Sequence, residues 1–480
     1  MVSARLERMV RYVRRWRMSN DGNDALAVAA DLTDADIRRL RRLIDDCIDS
    51  RGGEVAARRK ARTIGAAFAT LNTTGRRRFF ELLAHSYDDD DEAVDAAMDT
   101  VYRANGSEAR RRAEDDLRRA LEPRRERLLR RFAGLDGGLP FLIGLREDLL
   151  GHLGSDPELA AVDRDLKRIL EGWFDVALLR LERLTWSSPA ALLERLIEYE
   201  AVHAIESWDD LKGRLGPGRR CYAFLHPAMP EDPLIFVEVA LTDGIATSLP
   251  VLLDHRLERV ENPAADTAVF YSISNCHLGL AGVSLGDFLI KSVAEQLSRE
   301  LPNVKQFVTL SPLPGFRRWL EHSIETGAAE LKPGEAQLMA PAQPSNAADV
   351  LAELVRGVAP TSDSPSLERA KPVLLRLAAD YLLHQRSDTR ALDPVAHFHL
   401  ANGAAIEQLN WLANPSAAGW ERGLGMMVNY RYQLRQIERN HDRYVEGGEI
   451  VSSEAIRRLL IAEGPAPSNQ RSPGRDGQQK

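Results

Sequence analysis

The segment from Phe270 to Phe316 constrains the fold of this chain more than any other stretch of its sequence. An apolar run is followed by a loop with several glycines, a long amphipathic stretch and a second apolar run that ends at Ser311. This order predicts a strand, a loop, a helix and a second strand. Backbone amides of such a loop, together with the positive end of the helix, favour a phosphate group. We therefore predict a substrate with a nucleotide tail and a hydroxyl held still at Ser311.

The loop itself contains Gly279, Gly282 and Gly286 just before and at the start of the helical stretch. Ser284 is placed to act as the helix N-cap, and Asp287 follows three residues later as its capping-box partner. A plain strand-to-helix turn, in which the glycines serve only tight packing, explains the same residues.

Ser311 is followed by Pro312 and Pro314, which each fix φ and lack an amide donor. The backbone after the serine is therefore stiff. A serine that ends a strand and caps nearby amides is the simpler interpretation. However, Ser311 and the glycine loop both follow predicted neighbouring strands, and α/β sheets bind ligands at the carboxyl ends of their strands.

The sequence HFHLANG contains a third set of candidate residues. We predict a strand at residues 395–400, which would place His397 and His399 on one face. His-x-His on a strand is a spacing of metal ligands, so a zinc site is an alternative. No carboxylate or cysteine completes a recognisable ligand set, and we predict no metal. Downstream, Tyr430 and Tyr432 would point to one side if their segment is extended.

The chain divides into a helical first part and a second part in which strands alternate with helices. Residues 1–190 show helical spacing of apolar residues, which predicts an all-helical domain. Residues 191–460 form the second domain, with a helical insertion at about 333–390. Residues 461–480 are rich in Pro, Gly, Ser and Gln, which predicts a disordered tail. The predicted strands are residues 221–226, 234–241, 268–274, 305–310 and 395–400.

Composition excludes several classes of protein. Three cysteines without a CxxC pair argue against a disulfide scaffold and fit a reducing cytosol. No apolar run approaches the roughly 20 residues of a membrane helix, so we predict no membrane association. A net charge of −7 argues against nucleic-acid binding. The Arg-rich start lacks a clear cleavage signal, so we predict a surface helix there and a cytoplasmic protein.

Four motifs, in this order, together resemble the malonyl-CoA decarboxylase family. They read FYSISNCHLGLAGVSLGDFLIK, TLSPLPGFRRWL, DPVAHFHLANGAAIEQLNWLA and GMMVNYRY. The resemblance implies an α+β multidomain fold, with an N-terminal all-helical bundle used for oligomer assembly. A catalytic α/β domain with a mixed sheet would follow, similar to the GCN5-related N-acetyltransferase (GNAT) fold. The resemblance also implies conversion of malonyl-CoA to acetyl-CoA and CO₂ by a homo-oligomer, dimer or tetramer, without a metal or prosthetic group.

The resemblance also assigns roles to individual residues. Ser311 and His399 match the catalytic serine and histidine, and Ser272 and Tyr432 match further active-site positions. Relatives from animals carry a glutamate where this chain has Ser284, so we place Ser284 among the substrate-binding residues without an acid–base role. The loop that holds coenzyme A is matched by Ala281, Gly282, Val283, Ser284, Leu285, Gly286 and Asp287.

Loss of CO₂ from malonyl-CoA leaves an enolate, whose oxygen needs a hydrogen-bond donor and whose carbon needs a proton. We expect Ser311 and His399 to form a hydrogen-bonded pair that orients the malonyl group and delivers this proton. An acyl-CoA N-acyltransferase on the same fold is one alternative, and it would release free coenzyme A. A non-catalytic acyl-CoA-binding assembly protein is another, and it would bind without turnover.

Overall fold

The structure is a computed structural model that describes residues 26–254, 264–359 and 364–461. The Arg-rich start and the predicted tail beyond Ile461 lie outside the described residues.

The first part is helical up to Trp173, as predicted, but Arg180–Leu184, inside the predicted all-helical range, form a strand. Gly53 and Gly137, both with positive φ, precede two of its helices. Edge-to-face contacts of Phe68 with Phe79 and of Phe132 with Phe141 lie in its core. The helices are α1 Asp34–Ile48, α2 Glu54–Phe68, α3 Thr73–Ser86, α4 Asp91–Arg103, α5 Ser107–Ala120, α6 Arg124–Ala133, α7 Gly138–Leu150 and α8 Ala160–Trp173.

The α4–α5 hairpin differs from the other helices of this part. Helix α4 buries none of its side chains, and α5 buries only Ala113. Among the described residues, α4 packs mainly against α5, and α5 packs mainly against α4. Most of the hairpin surface is therefore exposed.

The second part is built on one mixed sheet. Four of the predicted strands are confirmed as β2 to β5, whereas β1, β9 and the two-residue strands β6, β7 and β8 were not predicted, and β10 includes Tyr430 of the segment considered as extended. The strands are β1 Arg180–Leu184, β2 Arg219–Leu225, β3 Ile235–Thr242, β4 Thr267–Asn275, β5 Gln306–Thr309, β6 Ser311–Pro312, β9 Ala405–Asn410 and β10 Met427–Arg431, with a separate small pair β7 Arg386–Ser387 and β8 Arg390–Ala391.

Helices connect these strands, and three of them, α14 to α16, occupy the range of the predicted helical insertion. The helix after the glycine loop, α12, packs against β1, β2 and β3. The helices are α9 Ala190–Tyr199, α10 Trp208–Arg214, α11 Leu249–Leu253, α12 Gly286–Glu300, α13 Phe316–Glu325, α14 Pro333–Met339, α15 Ala347–Arg356, α16 Pro365–His384, α17 Pro394–Ala401, α18 Ala417–Gly423, α19 Ile437–Gly447 and α20 Glu454–Ile461.

The sheet has the strand order β1-β2-β3-β4-β5-β10-β6, and β9 also pairs with β10. Only β4 and β5 pair in parallel among the described strands. Their register ends at Phe270 opposite Thr309, although β4 continues to Asn275. The chain beyond Leu310 pairs with β10 instead of β4. The sheet therefore opens between the end of β4 and β6.

The predicted strand at residues 395–400 is wrong, because this segment is helix α17. Asp393 is its N-cap and accepts hydrogen bonds from the amides of Val395 and Ala396, and Pro394 occupies the first helical position. On a helix, residues two apart point to different sides. His397 accordingly lies against Tyr444, with 2.9 Å between Nδ1 and the hydroxyl, and does not share a face with His399.

Candidate active site

Ser311 and His399 lie in contact, although they are 88 residues apart in the chain. The Ser311 Oγ is 2.9 Å from His399 Nε2, and both side chains are buried. Strand β6 carries the serine and α17 carries the histidine. The hydrogen bond expected between these two residues from the family resemblance is therefore present.

Each residue of the pair has a further hydrogen-bond partner. The Tyr432 hydroxyl is 2.8 Å from His399 Nδ1, and the Ser311 hydroxyl donates to Thr309 Oγ1 at 2.8 Å. The ring of Tyr430 stacks on the imidazole with centroids 4.4 Å apart. We call Ser311, His399, Tyr432 and Thr309 the His399 cluster. Thr309 was not predicted, although its position two residues before Ser311 on one strand face could have revealed it.

Burial determines the charge of this histidine. Removal from water lowers the pKa of His399 to about 3, so the ring is neutral near pH 7. Since Ser311 donates to Thr309, we assign the tautomer in which Nε2–H donates to Ser311 and Nδ1 accepts from Tyr432. The cluster is thus an uncharged chain of donors and acceptors.

The glycine loop lies beside this cluster. A β-carbon on Gly286 would lie 2.6 Å from Cε2 of Phe398, the residue next to His399. The start of α12 therefore approaches α17 as closely as glycine permits. A group held at the loop is therefore adjacent to the Ser311–His399 pair.

The prediction of Ser284 as the N-cap of α12 is wrong. The helix begins at Gly286, and Leu285 occupies the cap position without a side-chain hydrogen bond. Ser284 is exposed in the loop, as are Ala281 and Gly282, whereas Leu285 is buried and Val283 is half-buried. The side chain of Asp287, its predicted capping partner, lies outside the described residues.

Ser272 belongs to a second, charged group of buried residues. Its hydroxyl lies 2.8 and 2.7 Å from the two carboxylate oxygens of Glu200. Opposite Ser272 in the sheet register lies Glu238, whose Oε2 accepts from Arg214 at 3.1 Å. Burial and the nearby Glu200 raise the pKa of Glu238 to about 7. We call Glu238, Arg214, Glu200 and Ser272 the Glu238 cluster.

The two clusters lie on opposite faces of the sheet. Val237 and Val239 pack into the same core as α12, so Glu238 between them points to the other face. Val308 and Leu310 pack on that other face, so Thr309 and Ser311 point towards the face that α12 covers. The structure therefore does not join Ser272 to the Ser311–His399 pair by a direct hydrogen bond.

The described residues contain no group of three or more His, Cys, Asp or Glu side chains arranged to hold a metal ion. Within the same residues, no helix combines the length and apolar character needed to cross a membrane.

Comparison with known proteins identifies the family. The malonyl-CoA decarboxylase C-terminal domain matches residues 177–470, and the malonyl-CoA decarboxylase N-terminal domain matches residues 87–174. The mitochondrial malonyl-CoA decarboxylase of Rattus norvegicus is 39% identical over 362 residues, which cover 72% of this chain and 73% of the relative. That of Anser anser anser is 38% identical over 356 residues, or 72% and 71%.

Solved structures agree with these sequence matches. The malonyl-CoA decarboxylase of Rhodopseudomonas palustris superposes with a TM-score of 0.78 at 39% identity, covering 88% of this chain and 99% of the other. That of Agrobacterium vitis gives 0.77 at 38% identity with the same coverage. The chain therefore belongs to the malonyl-CoA decarboxylase family.

Proposed function

We propose that Ser311 and His399 act together in the conversion of malonyl-CoA to acetyl-CoA and CO₂. The reaction follows from the family, whose members carry this activity in their names, and makes the chain a carboxy-lyase. The observation that supports the catalytic assignment is the 2.9 Å contact between Ser311 Oγ and His399 Nε2, at the opening of the sheet.

The chemistry needs one hydrogen-bond donor and one proton. When the bond to the carboxylate breaks, its electron pair moves onto the thioester and forms an enolate, and CO₂ leaves. A donor at the enolate oxygen stabilises the transition state by about 3 kcal/mol. The carbon then takes a proton from the pair, and solvent returns one to the enzyme. The Ser311 hydroxyl can turn from Thr309 to the substrate, while Nε2–H of His399 remains directed at Oγ.

A neutral site suits this reaction. The substrate carboxylate is charged before CO₂ leaves, so a tight cationic clamp on it would stabilise the ground state more than the transition state. The His399 cluster contains no charged side chain. Because the thioester carbonyl itself accepts the electron pair, we propose that the reaction uses neither metal nor prosthetic group.

Loop 281–287 is the proposed coenzyme A site. Its backbone and the N-terminus of α12 offer amide groups to phosphate oxygens. The contact of Gly286 with Phe398 brings that site next to His399. We also assign Tyr432 to the active site through His399, and Ser272 and Ser284 to substrate binding from the family resemblance.

We further propose that the chain forms a homo-oligomer, a dimer or a tetramer, through the α4–α5 hairpin. Met98, Tyr102 and Leu121 on and beside this hairpin are 55%, 90% and 49% exposed. Large apolar side chains that gather on one exposed element indicate an interaction surface. The free, buried cysteines fit the cytoplasm as the proposed location.

The test of the catalytic pair is a double variant. If Ser311 and His399 act as a unit, the variant with both Ser311→Ala and His399→Asn loses about as much kcat as the more damaging single variant. Product analysis with labelled malonyl-CoA measures acetyl-CoA and CO₂ in each variant, and a thiol reagent detects free coenzyme A. Losses that multiply in the double variant would separate the two residues, and release of free coenzyme A would indicate acyl transfer.

A further inference from the structure

One buried arginine of the helical part holds the backbone of the glycine loop. Arg146, on α7, is 3% exposed. Its Nη1 donates to the carbonyl oxygens of Gly279 at 2.8 Å and Ala281 at 2.7 Å. Its Nε donates to Oδ1 of Asp163 on α8 at 2.8 Å. Both carbonyls lie at the start of the loop, more than 130 residues along the chain from Arg146.

The helical part and the glycine loop are also in close steric contact. A β-carbon on Gly279 would lie 2.0 Å from the carbonyl oxygen of Ile143, so α7 and the turn meet backbone to backbone. From α8, Nζ of Lys167 lies 3.3 Å from the position of a β-carbon on Gly282. Helices α7 and α8 of the first part therefore both pack against the loop.

The arginine also fixes which way the amide of Gly282 points. The peptide bonds are trans, so the N–H of a peptide points away from its own carbonyl. Since the Ala281 carbonyl points to Arg146, the N–H of Gly282 is directed to the opposite side of the loop. The left-handed φ of 76° at Gly282 then turns the chain before α12. A guanidinium held by a carboxylate is a rigid fork that can maintain both carbonyls in this orientation.

We propose that Arg146 is a positioning residue for coenzyme A binding, which acts by holding the carbonyls of Gly279 and Ala281. The helical part thereby contributes to substrate affinity as well as to assembly. This inference rests on the proposed assignment of loop 281–287 to coenzyme A. Arg146 itself contacts no substrate in this scheme.

The experiment compares two buried arginines of the same helical part. Arg146→Met removes the contacts to the loop. Arg76→Met removes a similarly buried arginine, whose Nη1 lies 2.9 and 2.8 Å from the oxygens of Asp148 and whose Nε donates to the carbonyl oxygen of Leu71, so that none of these hydrogen bonds reaches the loop. We expect Arg146→Met to raise KM for malonyl-CoA and the Kd of free coenzyme A about tenfold, since hydrogen bonds from a charged donor are lost. We expect kcat to change less than about threefold, and Arg76→Met to change KM less than about twofold.

Two further variants keep the test decisive. If Arg146→Met does not fold, Asp163→Asn weakens the support of Arg146 without touching the loop, and a smaller rise of KM is expected. Gly282→Val alters the loop itself. If Gly282→Val raises KM while Arg146→Met and Asp163→Asn behave like Arg76→Met, the inference about Arg146 is wrong and the coenzyme A loop stands. If Gly282→Val also leaves KM and Kd unchanged, the proposed coenzyme A loop is wrong.

Discussion

The His399 cluster and the Glu238 cluster are both buried, both polar and both next to the opening of the sheet. They differ in how their buried polar groups are compensated for the loss of water. In the His399 cluster, neutral groups satisfy one another in a chain from Tyr432 to Thr309. In the Glu238 cluster, Arg214 balances carboxylates, and Ser272 bonds to one of them. Hydrogen bonds between neutral groups can be exchanged for bonds to a substrate at low cost, whereas a buried ion pair resists any change of partner.

This difference indicates a division of tasks. The neutral cluster can reorganise its donors during a reaction, and the charged cluster can hold the end of β4 in place. Substitutions in the two clusters can therefore separate catalysis from stability.

Two buried serines, one from each cluster, give the most direct contrast. Ser311→Ala should lower kcat about a hundredfold with a modest change of KM, because the pair loses its hydroxyl. Ser272→Ala should lower kcat less than about tenfold and reduce the free energy of unfolding by about 1–2 kcal/mol, because Glu200 loses a donor. Steady-state kinetics and denaturant unfolding of both variants measure the two effects. The opposite ranking in kcat would move the chemistry to the Glu238 cluster.

Arg214 should matter for stability more than for catalysis. Its guanidinium donates to the carbonyls of His203 and Ala204 and to Glu238. Arg214→Met leaves these buried acceptors without their donor, so we expect the free energy of unfolding to fall by about 3 kcal/mol. Arg431→Met, which removes a partly exposed ion pair with Glu407, is the control and should cost less than about 1 kcal/mol. Equal losses in urea unfolding would show that burial of the pair is unimportant.

The two clusters should respond to pH with opposite signs. His399 has a pKa of about 3 in the folded chain and about 6.5 when unfolded, so the unfolded state binds more protons between these values. Stability is therefore lost as pH falls below about 6.5. Between pH 8 and pH 5, the wild-type protein should lose about 2 kcal/mol of unfolding free energy that His399→Asn does not lose.

Glu238 should give a pH dependence of stability with the opposite sign. Its pKa is raised to about 7, so the folded state holds the proton more tightly than the unfolded state. This contribution to stability is present at acidic pH and is lost as pH rises towards 7. Glu238→Gln should therefore show a smaller loss than the wild type over that rise. Chemical denaturation at a series of pH values measures both variants, and slopes of the same sign would contradict the contrast.

Two tyrosines provide the finest test. Tyr432→Phe removes the group that donates to His399 Nδ1 and should lower kcat about tenfold. Tyr430 stacks on the same imidazole, and its buried hydroxyl has no hydrogen-bond partner among the described residues. Tyr430→Phe keeps the stacking ring and should change kcat less than about twofold. If both variants lose the same activity, ring packing rather than hydrogen bonding orients His399.

Sequence patterns were sufficient for the elements whose apolar residues decide their structure. Strands β2 to β5 are nearly continuous apolar runs, and α12 follows a clear helical period. Strand β1 reads RLERL, and its charged residues give no apolar strand pattern. It forms a strand because it pairs with β2. At Asp393 and Pro394, the sequence carries the signal for a helix start, but the residues that follow also alternate as in a strand.

Part of the site was predicted from the family resemblance and not from a local pattern. The pair of Ser311 and His399 was expected in this way, whereas the contact of Tyr432 with His399 was not, because it depends on which strands pair. Arg146 was not predicted, because its role comes from contacts with carbonyls that are more than 130 residues away. Ser284 appeared to be a cap because its residue type fits one, whereas the turn at Gly282 moves the start of α12 to Gly286.

Strand β10 determines when the site can form during folding. It pairs with β5, β6 and β9, and the chain immediately after it supplies Tyr432. Ser311 is synthesised long before this strand, and chains grow at about 5–20 residues per second. The helical part, with its local contacts, can fold during that interval. A nascent chain that stops before β10 would therefore present a folded helical part and an open sheet edge, which makes the synthesis of β10 the step at which both activity and protection from aggregation are gained.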